Sequence, residues 1–291
     1  MPAAASLFRC PVCGLALGGD VVNAAPDDSV KTWRCAKGHS YDVGKDGTVH
    51  LLPAGHGKSN VVGDTVEMLQ ARRRFLQGGH YRPLTAALGD VVGAALPRDR
   101  RGVLVDFGCG EGTHLKGVVD ALGDRDVVVA GLDLSKDAVK LAAKTARSAR
   151  FVVGDSRTAI PLNDGVVDVG LVVFAPRGVA ELARVMAPGS LLVVAIPQAD
   201  HLVAVRDAWG GIGIADEKRE RTVAELDSAF VVASDDVVVA ADVALDGNAL
   251  ADLLTMTPSR RHLDDDVLVR ARASAGMSVG LRVRLLRCTR R

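Results

Sequence analysis

Residues 103–112 read Val103-Leu104-Val105-Asp106-Phe107-Gly108-Cys109-Gly110-Glu111-Gly112. An apolar run reaches an acidic residue and then carries glycine at every second position. A strand that ends this way turns sharply, and backbone without Cβ atoms lets a ligand lie close against the chain. The next apolar run, Val127-Val128-Val129-Ala130-Gly131-Leu132, ends beside Asp133, 27 residues after Asp106. That spacing suits one strand–helix–strand unit with an acidic side chain at the carboxyl end of its second strand.

The chemistry of this loop selects among nucleotide-like ligands. Its pattern is Asp-x-Gly-x-Gly rather than Gly-x-Gly-x-x-Gly, and a carboxylate at the loop start would repel a phosphate. The ligand it suits is S-adenosylmethionine (SAM), which has none. Asp106 can fix the loop and meet the ammonium group. Gly108, Gly110 and Gly112 let backbone approach the methionine end, and a helix from Thr113 presents free N–H groups. Asp133 can accept both ribose hydroxyls. Asp155 and Ser156, after the third strand, are expected near adenine. Phe174-Ala175-Pro176-Arg177 should face the reacting methyl. Cys109 reads as a small loop residue and Cys288 as core.

Outward from the loop, apolar runs alternate with amphipathic stretches. Strands are expected over 103–107, 127–132, 150–153, 166–174 and 190–196, with helices near 113–122, 135–147, 177–187 and 199–209. Such alternation builds a parallel sheet covered on both faces. Ala187-Pro188-Gly189 reads as the turn that opens the fifth strand. A polar, acidic segment at 215–228 interrupts the pattern. Val231-Val232 with 237–244 then reads as a sixth strand, followed by a helix from Asp246 to Thr255 and a last strand at 279–288. The expected fold is α/β, the Rossmann-like seven-stranded sheet of class I SAM-dependent methyltransferases, whose last strand is antiparallel. Upstream, Asp64 can cap a helix over 65–77 with Glu67 closing a capping box. That helix stops at Gly78-Gly79, and a second runs from Pro83 to about Leu96.

The first fifty residues are organised differently. Cys10-Pro11-Val12-Cys13 and Cys35-Ala36-Lys37-Gly38-His39 supply three thiolates and one imidazole in two local clusters. Two intervening residues let a chain wrap one side of a tetrahedral ion, so Cys10, Cys13, Cys35 and His39 are expected to hold Zn2+. Four filled positions leave no open coordination site, which makes the metal structural, and a segment with so little core takes folding energy from it. Gly14 and Gly38 permit the turns that aim N–H groups at sulfur. His50 and His56 read as solvated. The expected domains are a zinc-binding domain over 1–58, which the family resemblance described below implies to be an RNA-recognition domain, a helical linker or cap over 59–100, and a methyltransferase domain over 101–291.

Composition adds bounds. The 291 residues are 48% apolar and carry 36 Lys and Arg against 35 Asp and Glu, a net charge of +1. Such a chain can bury a full core, and its global charge favours no partner. No apolar run approaches the ~20 residues of a membrane span. Residues 1–8 lack the marks of a signal peptide. A cytoplasmic protein with reduced thiols and no membrane contact is expected.

Zinc knuckle and SAM loop in this order resemble one family, the 23S ribosomal RNA (guanine-N1)-methyltransferases, which include enzymes conferring tylosin and related macrolide resistance. The stretches that carry the resemblance are Tyr41-Asp42-Val43-Gly44-Lys45-Asp46-Gly47-Thr48-Val49-His50-Leu51-Leu52-Pro53, Gly63-Asp64-Thr65-Val66-Glu67-Met68-Leu69-Gln70-Ala71-Arg72-Arg73 and Gly79-His80-Tyr81-Arg82-Pro83-Leu84. The glycine loop, Gly131-Leu132-Asp133-Leu134-Ser135-Lys136, Ala175-Pro176 and Leu253-Leu254-Thr255-Met256-Thr257-Pro258 match as well. Nearly the whole chain is covered. The resemblance implies methylation at N1 of a guanine in a 23S rRNA hairpin. It implies cofactor contacts at Tyr81, Gly110, Glu111, Gly112, Thr113 and His201, with Leu134 beside Asp133. The chain departs from the pattern at Gln198, where the family usually has glycine after Pro197.

Methylation at guanine N1 requires removal of its proton or stabilisation of charge on O6. His80, Glu67 and Asp155 are the candidate bases, although Glu67 also reads as a helix cap. A paired guanine hides N1, so the base must be unpaired or flipped out. Arg72, Arg73, Arg74 and Arg82 form a basic cluster suited to phosphate. Arg34, Lys37, Lys45 and Lys58 are weaker candidates, and the C-terminal arginines read as strand-face charges. Two rival readings stand beside this one: a SAM-dependent methyltransferase of a small molecule, and a non-catalytic SAM-binding RNA or ribosome-assembly factor. The sequence leaves open whether the chain forms a homodimer.

Overall fold

The zinc-knuckle segment folds onto the main sheet and extends it. The computed structural model of the chain describes residues 6–18, 30–53, 64–210, 217–257, 260 and 262–291. Near the N-terminus, β1 (Leu17–Gly18), β2 (Thr32–Cys35) and β3 (Ser40–Asp42) form a small antiparallel sheet. Next comes β4 (Val49–His50), which pairs in parallel with β7 (Arg150–Val153), in the register Val49 with Val152 and His50 with Val153. The ladder continues through Leu51, whose N–H donates to the Val153 carbonyl. Phe8 bridges Leu162, and Asn163 Nδ2 donates to the Ser6 carbonyl at 2.5 Å. Phe8 and Trp33 stack at 4.9 Å within the core layer that also holds Ile160 and Leu162. Full burial of Phe8 contributes roughly 2–3 kcal/mol to this seam. The expected linker over 51–63 is described only to residue 53; His56, Lys58 and Gly63 lie outside the described residues.

Two helices follow. In α1 (Val66–Gln77), Met68, Leu69, Ala71, Phe75 and Leu76 recur at helical spacing and are buried. Its cap corrects the sequence reading. Thr65 is the N-cap, its side chain accepting from Met68 N, while Asp64 turns to Arg72 at 2.5 Å and Glu67 is exposed. α2 (Arg82–Ala95) has Pro83 in its first turn, where a missing N–H costs nothing.

The alternating region forms β5 (Gly102–Phe107), α3 (Thr113–Leu122), β6 (Val127–Asp133), α4 (Lys136–Thr145), β7, β8 (Val167–Val173), α5 (Val179–Val185), β9 (Met186–Pro197) and α6 (Val203–Trp209). β5, β6, β7, β8 and β9 pair in parallel, and their near-continuous apolar runs reflect burial on both faces. Ala187-Pro188-Gly189 lies inside the start of β9, where the register with β8 shifts and Gly189 takes φ +76°.

Beyond β9 the chain departs further from expectation. The polar segment at 215–228 contains α7 (Lys218–Leu226). The expected sixth strand is two strands, β10 (Phe230–Val232) and β11 (Val237–Leu245), because Ser234-Asp235-Asp236 breaks the apolar run. α8 (Gly247–Met256) and α9 (Asp265–Ala273) precede β12 (Met277–Arg290). β12 runs antiparallel to β9 and pairs β10 and β11 on its other side. The sheet order is β10-β12-β9-β8-β5-β6-β7-β4, with β11 also on β12. This is the class I methyltransferase sheet with its antiparallel last strand, widened by β4. No helix among the described residues is long and apolar enough to cross a membrane.

The corrected cap has a direct test. Thr65→Ala should lower stability to urea by about 1 kcal/mol, the usual cost of an N-cap hydroxyl. Glu67→Ala, on an exposed position with no cap role, should change it by less than about 0.5 kcal/mol.

Candidate active site and metal centre

The cofactor loop is built by glycines that pack for different reasons. Gly108, Gly110 and Gly112 all have left-handed φ, at +91°, +55° and +86°. A Cβ on Gly108 would lie 2.4 Å from Ala175 Cβ, and one on Gly112 would lie 2.9 Å from Ala142 Cα. Gly110 is different: its Cβ would meet only Arg72 Nη1, at 3.7 Å. Two of these glycines let the loop nest against its neighbours, and the middle one keeps the cleft floor bare. Gly108 N and Cys109 N donate to the Leu132 carbonyl, and Gly110 N donates to Asp133 Oδ2 at 3.0 Å. The other oxygen of Asp133 accepts from Ser135 N at 2.8 Å. Each carboxylate oxygen keeps a lone pair for a ribose hydroxyl.

Asp106 is the group this arrangement leaves unfinished. It is 1% exposed, and its Oδ1 has no hydrogen-bond partner. Burial, then the nearby charges of Asp133 and Glu111, push its pKa up to about 7. A buried acceptor without a donor is costly, and an ammonium group in the cleft would satisfy it. Asp133 and Glu111 are also raised, first by burial; Glu111 accepts from Thr113 N and, at 2.6 Å, from Thr113 Oγ1. The orphaned oxygen, the bare floor at Gly110 and the acceptor at Asp133 fit the ammonium, methionine chain and ribose of SAM. Ser156 donates to the Pro176 carbonyl, and Leu134 is half-buried after Asp133.

Tyr81 and His201 meet although 120 residues separate them; Tyr81 Oη lies 3.2 Å from His201 Nε2. His201 Nδ1 accepts from the backbone N–H of Arg282 at 3.1 Å. Nδ1 therefore carries a lone pair, and in the neutral ring the hydrogen sits on Nε2 and is given to Tyr81 Oη. Burial, with the nearby Arg206 charge, lowers the His201 pKa to about 4, so the ring is neutral at physiological pH. Tyr81 Oη then has its own hydrogen to donate elsewhere. Gln198 has no left-handed φ, so the family's glycine is not needed there.

Phe174 shows what the sequence could not. It is a non-glycine residue at φ +53° and is 41% exposed, with its ring 6.4 Å from Tyr81 and 6.1 Å from His201. Leu202, beside His201, is held at φ +55°. Such strain costs about 1–3 kcal/mol per residue and collects at functional sites.

The candidate bases separate. Asp155 is clamped by Arg157 N, Nε and Nη2 and by Thr158; although burial raises its pKa, these bonds leave it lowered, which suits an acceptor rather than a base. Glu67 is exposed on α1. His80 stacks on Phe75 at 4.8 Å, and among the described residues no hydrogen bond engages its ring nitrogens. The basic cluster also divides. Arg72 is bound to Asp64 and to the Met256 carbonyl, and Arg74 is bidentate on Asp252. Arg73 and Arg82 have no ion pair among the described residues.

At the metal centre, the ligand atoms of Cys10, Cys13, Cys35 and His39 all lie within 4.8 Å of one another. Cys35 Sγ and Cys10 Sγ stand 3.3 and 3.5 Å from His39 Nδ1, and Cys13 Sγ is 3.6 Å from Cys35 Sγ. Bonds of about 2.3 Å to a tetrahedral zinc place ligands ~3.5–3.8 Å apart, so these residues fit one ion. Gly14 and Gly38 take φ +73° and +84° as the tight turns require. The sequence reading missed Tyr41, whose hydroxyl is 3.1 Å from Cys10 Sγ and orients that ligand. No spacing rule singles it out. Cys109 and Cys288 are buried thiols with pKa values raised first by burial, as inert core positions should be.

Two measurements check this geometry. Strong chelation should release one zinc per chain and red-shift the fluorescence of Trp33, which is 5% exposed beside Cys35. Binding of S-adenosylhomocysteine should weaken by up to about tenfold per pH unit below 7, because its ammonium pairs with ionised Asp106 and the proton must first leave. Above pH 7 the affinity should level off, and Asp106→Asn should bind weakly with that dependence gone.

Residues 8–60 match the zinc-ribbon family model described as RlmA, N-terminal, and residues 104–189 match the model described as Methyltransferase domain. A 23S rRNA (guanine(748)-N(1))-methyltransferase of Streptomyces fradiae is 36% identical over 264 residues, spanning 90% of this chain and 89% of its own. A Micromonospora griseorubida relative bearing a 23S rRNA (guanine-N(1)-)-methyltransferase name is 38% identical over 235 residues, 77% of this chain and 76% of its own. At that identity, over most of the length of both chains, the chain belongs to the 23S rRNA (guanine-N1)-methyltransferase family.

Proposed function

We propose that the protein methylates N1 of a guanine in a hairpin of 23S rRNA, in the cytoplasm, with SAM as donor and a structural zinc in its RNA-recognition module. The observation that carries the reading is Phe174, an exposed aromatic ring held at strained backbone where β8 opens into the cofactor cleft. A planar base drawn from its stack finds there a ring to lie against. The activity for which the relatives are named supplies the nucleotide class.

SAM supplies an electrophilic methyl on a sulfonium. The protein's part is positioning. Asp106 takes the ammonium, Asp133 the ribose, and the loop holds the donor against β5 and β6. Phe174, with Tyr81 and His201 behind it, orients the guanine edge toward the methyl. His80, next to this aromatic group, takes the N1 proton. Arg73 and Arg82 contact backbone phosphate.

Incubation with labelled SAM and 23S rRNA from a deletion strain should place label in the RNA and create a primer-extension stop at one guanine. Label confined to small molecules would refute the reading, and cofactor binding without any transfer would favour the non-catalytic rival. Phe174→Ala should cut the transfer rate at least tenfold while S-adenosylhomocysteine binding holds. His80→Ala should lower kcat at least tenfold while S-adenosylhomocysteine binding holds.

A further inference from the structure

Arg72 stands among arginines that read from sequence as phosphate contacts, but its guanidinium lies over the cofactor loop. Its Nη1 is 3.7 Å from where a side chain on Gly110 would begin, the nearest group above that bare floor. Its charge acts on Glu111, His114 and Asp133, residues of the loop and of the strand end beside it. Nη1 donates to Asp64 and Nη2 to the Met256 carbonyl at 3.1 Å, so the group is held from two sides. Of the five N–H donors of a guanidinium these use two. Arg74, two residues on, points instead to Asp252 on α8.

Charge balance gives this position a purpose. Asp106, Glu111 and Asp133 crowd the cleft with carboxyl groups, and all three are raised in pKa by their surroundings. They suit the ammonium and ribose of SAM and oppose its carboxylate. An anion entering that cleft needs a cation at the loop. We propose that Arg72 receives the carboxylate of the cofactor's amino-acid end, while Asp64 and the Met256 carbonyl hold its guanidinium above Gly110. Arg72 is then a cofactor residue rather than an RNA contact. The inference rests on the cofactor reading and needs no RNA target.

The test is calorimetry on the full, zinc-loaded chain without RNA, so that it stands or falls apart from the choice of substrate. The probes are S-adenosylhomocysteine and its decarboxylated analogue, which keeps the ammonium. R72Q should bind S-adenosylhomocysteine ten- to a hundredfold more weakly, the worth of a charge-assisted hydrogen bond. It should bind the decarboxylated analogue within twofold of the unaltered protein. Unchanged binding of both ligands, or equal loss for both in a variant that keeps its zinc and its melting temperature, would overturn the proposal. Should R72Q not fold, R72K replaces it: the charge survives without the fork, and preference for the carboxylated ligand should fall at least threefold, with undiminished preference counting against the proposal.

Discussion

A carboxylate buried beside two others, with one oxygen unpartnered, is a costly thing to keep, and the sheet of this protein is arranged around one. Asp106 sits on the central strand β5, flanked by β6 and β8, with no room to turn toward solvent. Its raised pKa means that the empty fold binds a proton there that the unfolded chain would release. Stability from this group is full below about pH 4 and is lost as pH rises toward 7. Binding an ammonium reverses the balance, because the ionised form gains a partner. On the proposed reading, that ammonium belongs to the amino-acid end of the cofactor, and the cost borne by the empty protein is recovered when it binds.

The second constraint is mechanical. β4 is paired to β7, and β7 ends at the Gly154-Asp155-Ser156 turn beside the cofactor cleft. The zinc centre fixes β2 and the turn after it, Trp33 of β2 packs on Phe8, and Phe8 pairs across to Leu162. The metal therefore organises more than its own loop. It holds one wall of the core layer that the parallel sheet shares, in which Cys10, Cys35, Trp33, Phe8 and Leu162 pack together.

Much of this was legible before any coordinates. The alternation of apolar runs gave the sheet, the glycine positions gave the loop, and the cysteine spacing gave the metal ligands, because each depends on local periodicity or local reach. The failures share the opposite character. Asp64 and Thr65 are both good caps in sequence; the choice was made by Arg72, eight residues on, which claims the Asp64 side chain. β10 and β11 read as one strand because their apolar character is continuous in kind, yet Asp235 and Asp236 are drawn out to Arg287, Arg219 and Arg284. The pairing of Tyr81 with His201 was not legible: the resemblance implied each as a cofactor contact, and no local rule joins residues so far apart. The left-handed backbone at Phe174 had no signal at all, for nothing in a phenylalanine announces a positive φ.

Charge distribution resolves the apparent conflict between a net charge of +1 and an RNA substrate. Most of the C-terminal arginines are spent on internal pairs: Arg282 on Asp242, Arg284 on Asp236, Arg287 on Asp235 and Arg291 on Asp227. These pairs cancel locally and leave the β12 face close to neutral. Positive charge without an ion pair among the described residues includes exposed Arg34, Lys37 and Lys45 of the zinc module and Arg73 and Arg82 around the α1–α2 turn, besides Lys136 and Lys144 on α4. Attraction to phosphate falls off over about a Debye length, ~8 Å at physiological salt, so an RNA strand responds to the nearest uncancelled charges and hardly to the sum over the molecule. A chain can be nearly neutral overall and still present a basic surface, provided that its acidic residues are committed to neutralising the arginines of the faces it does not use.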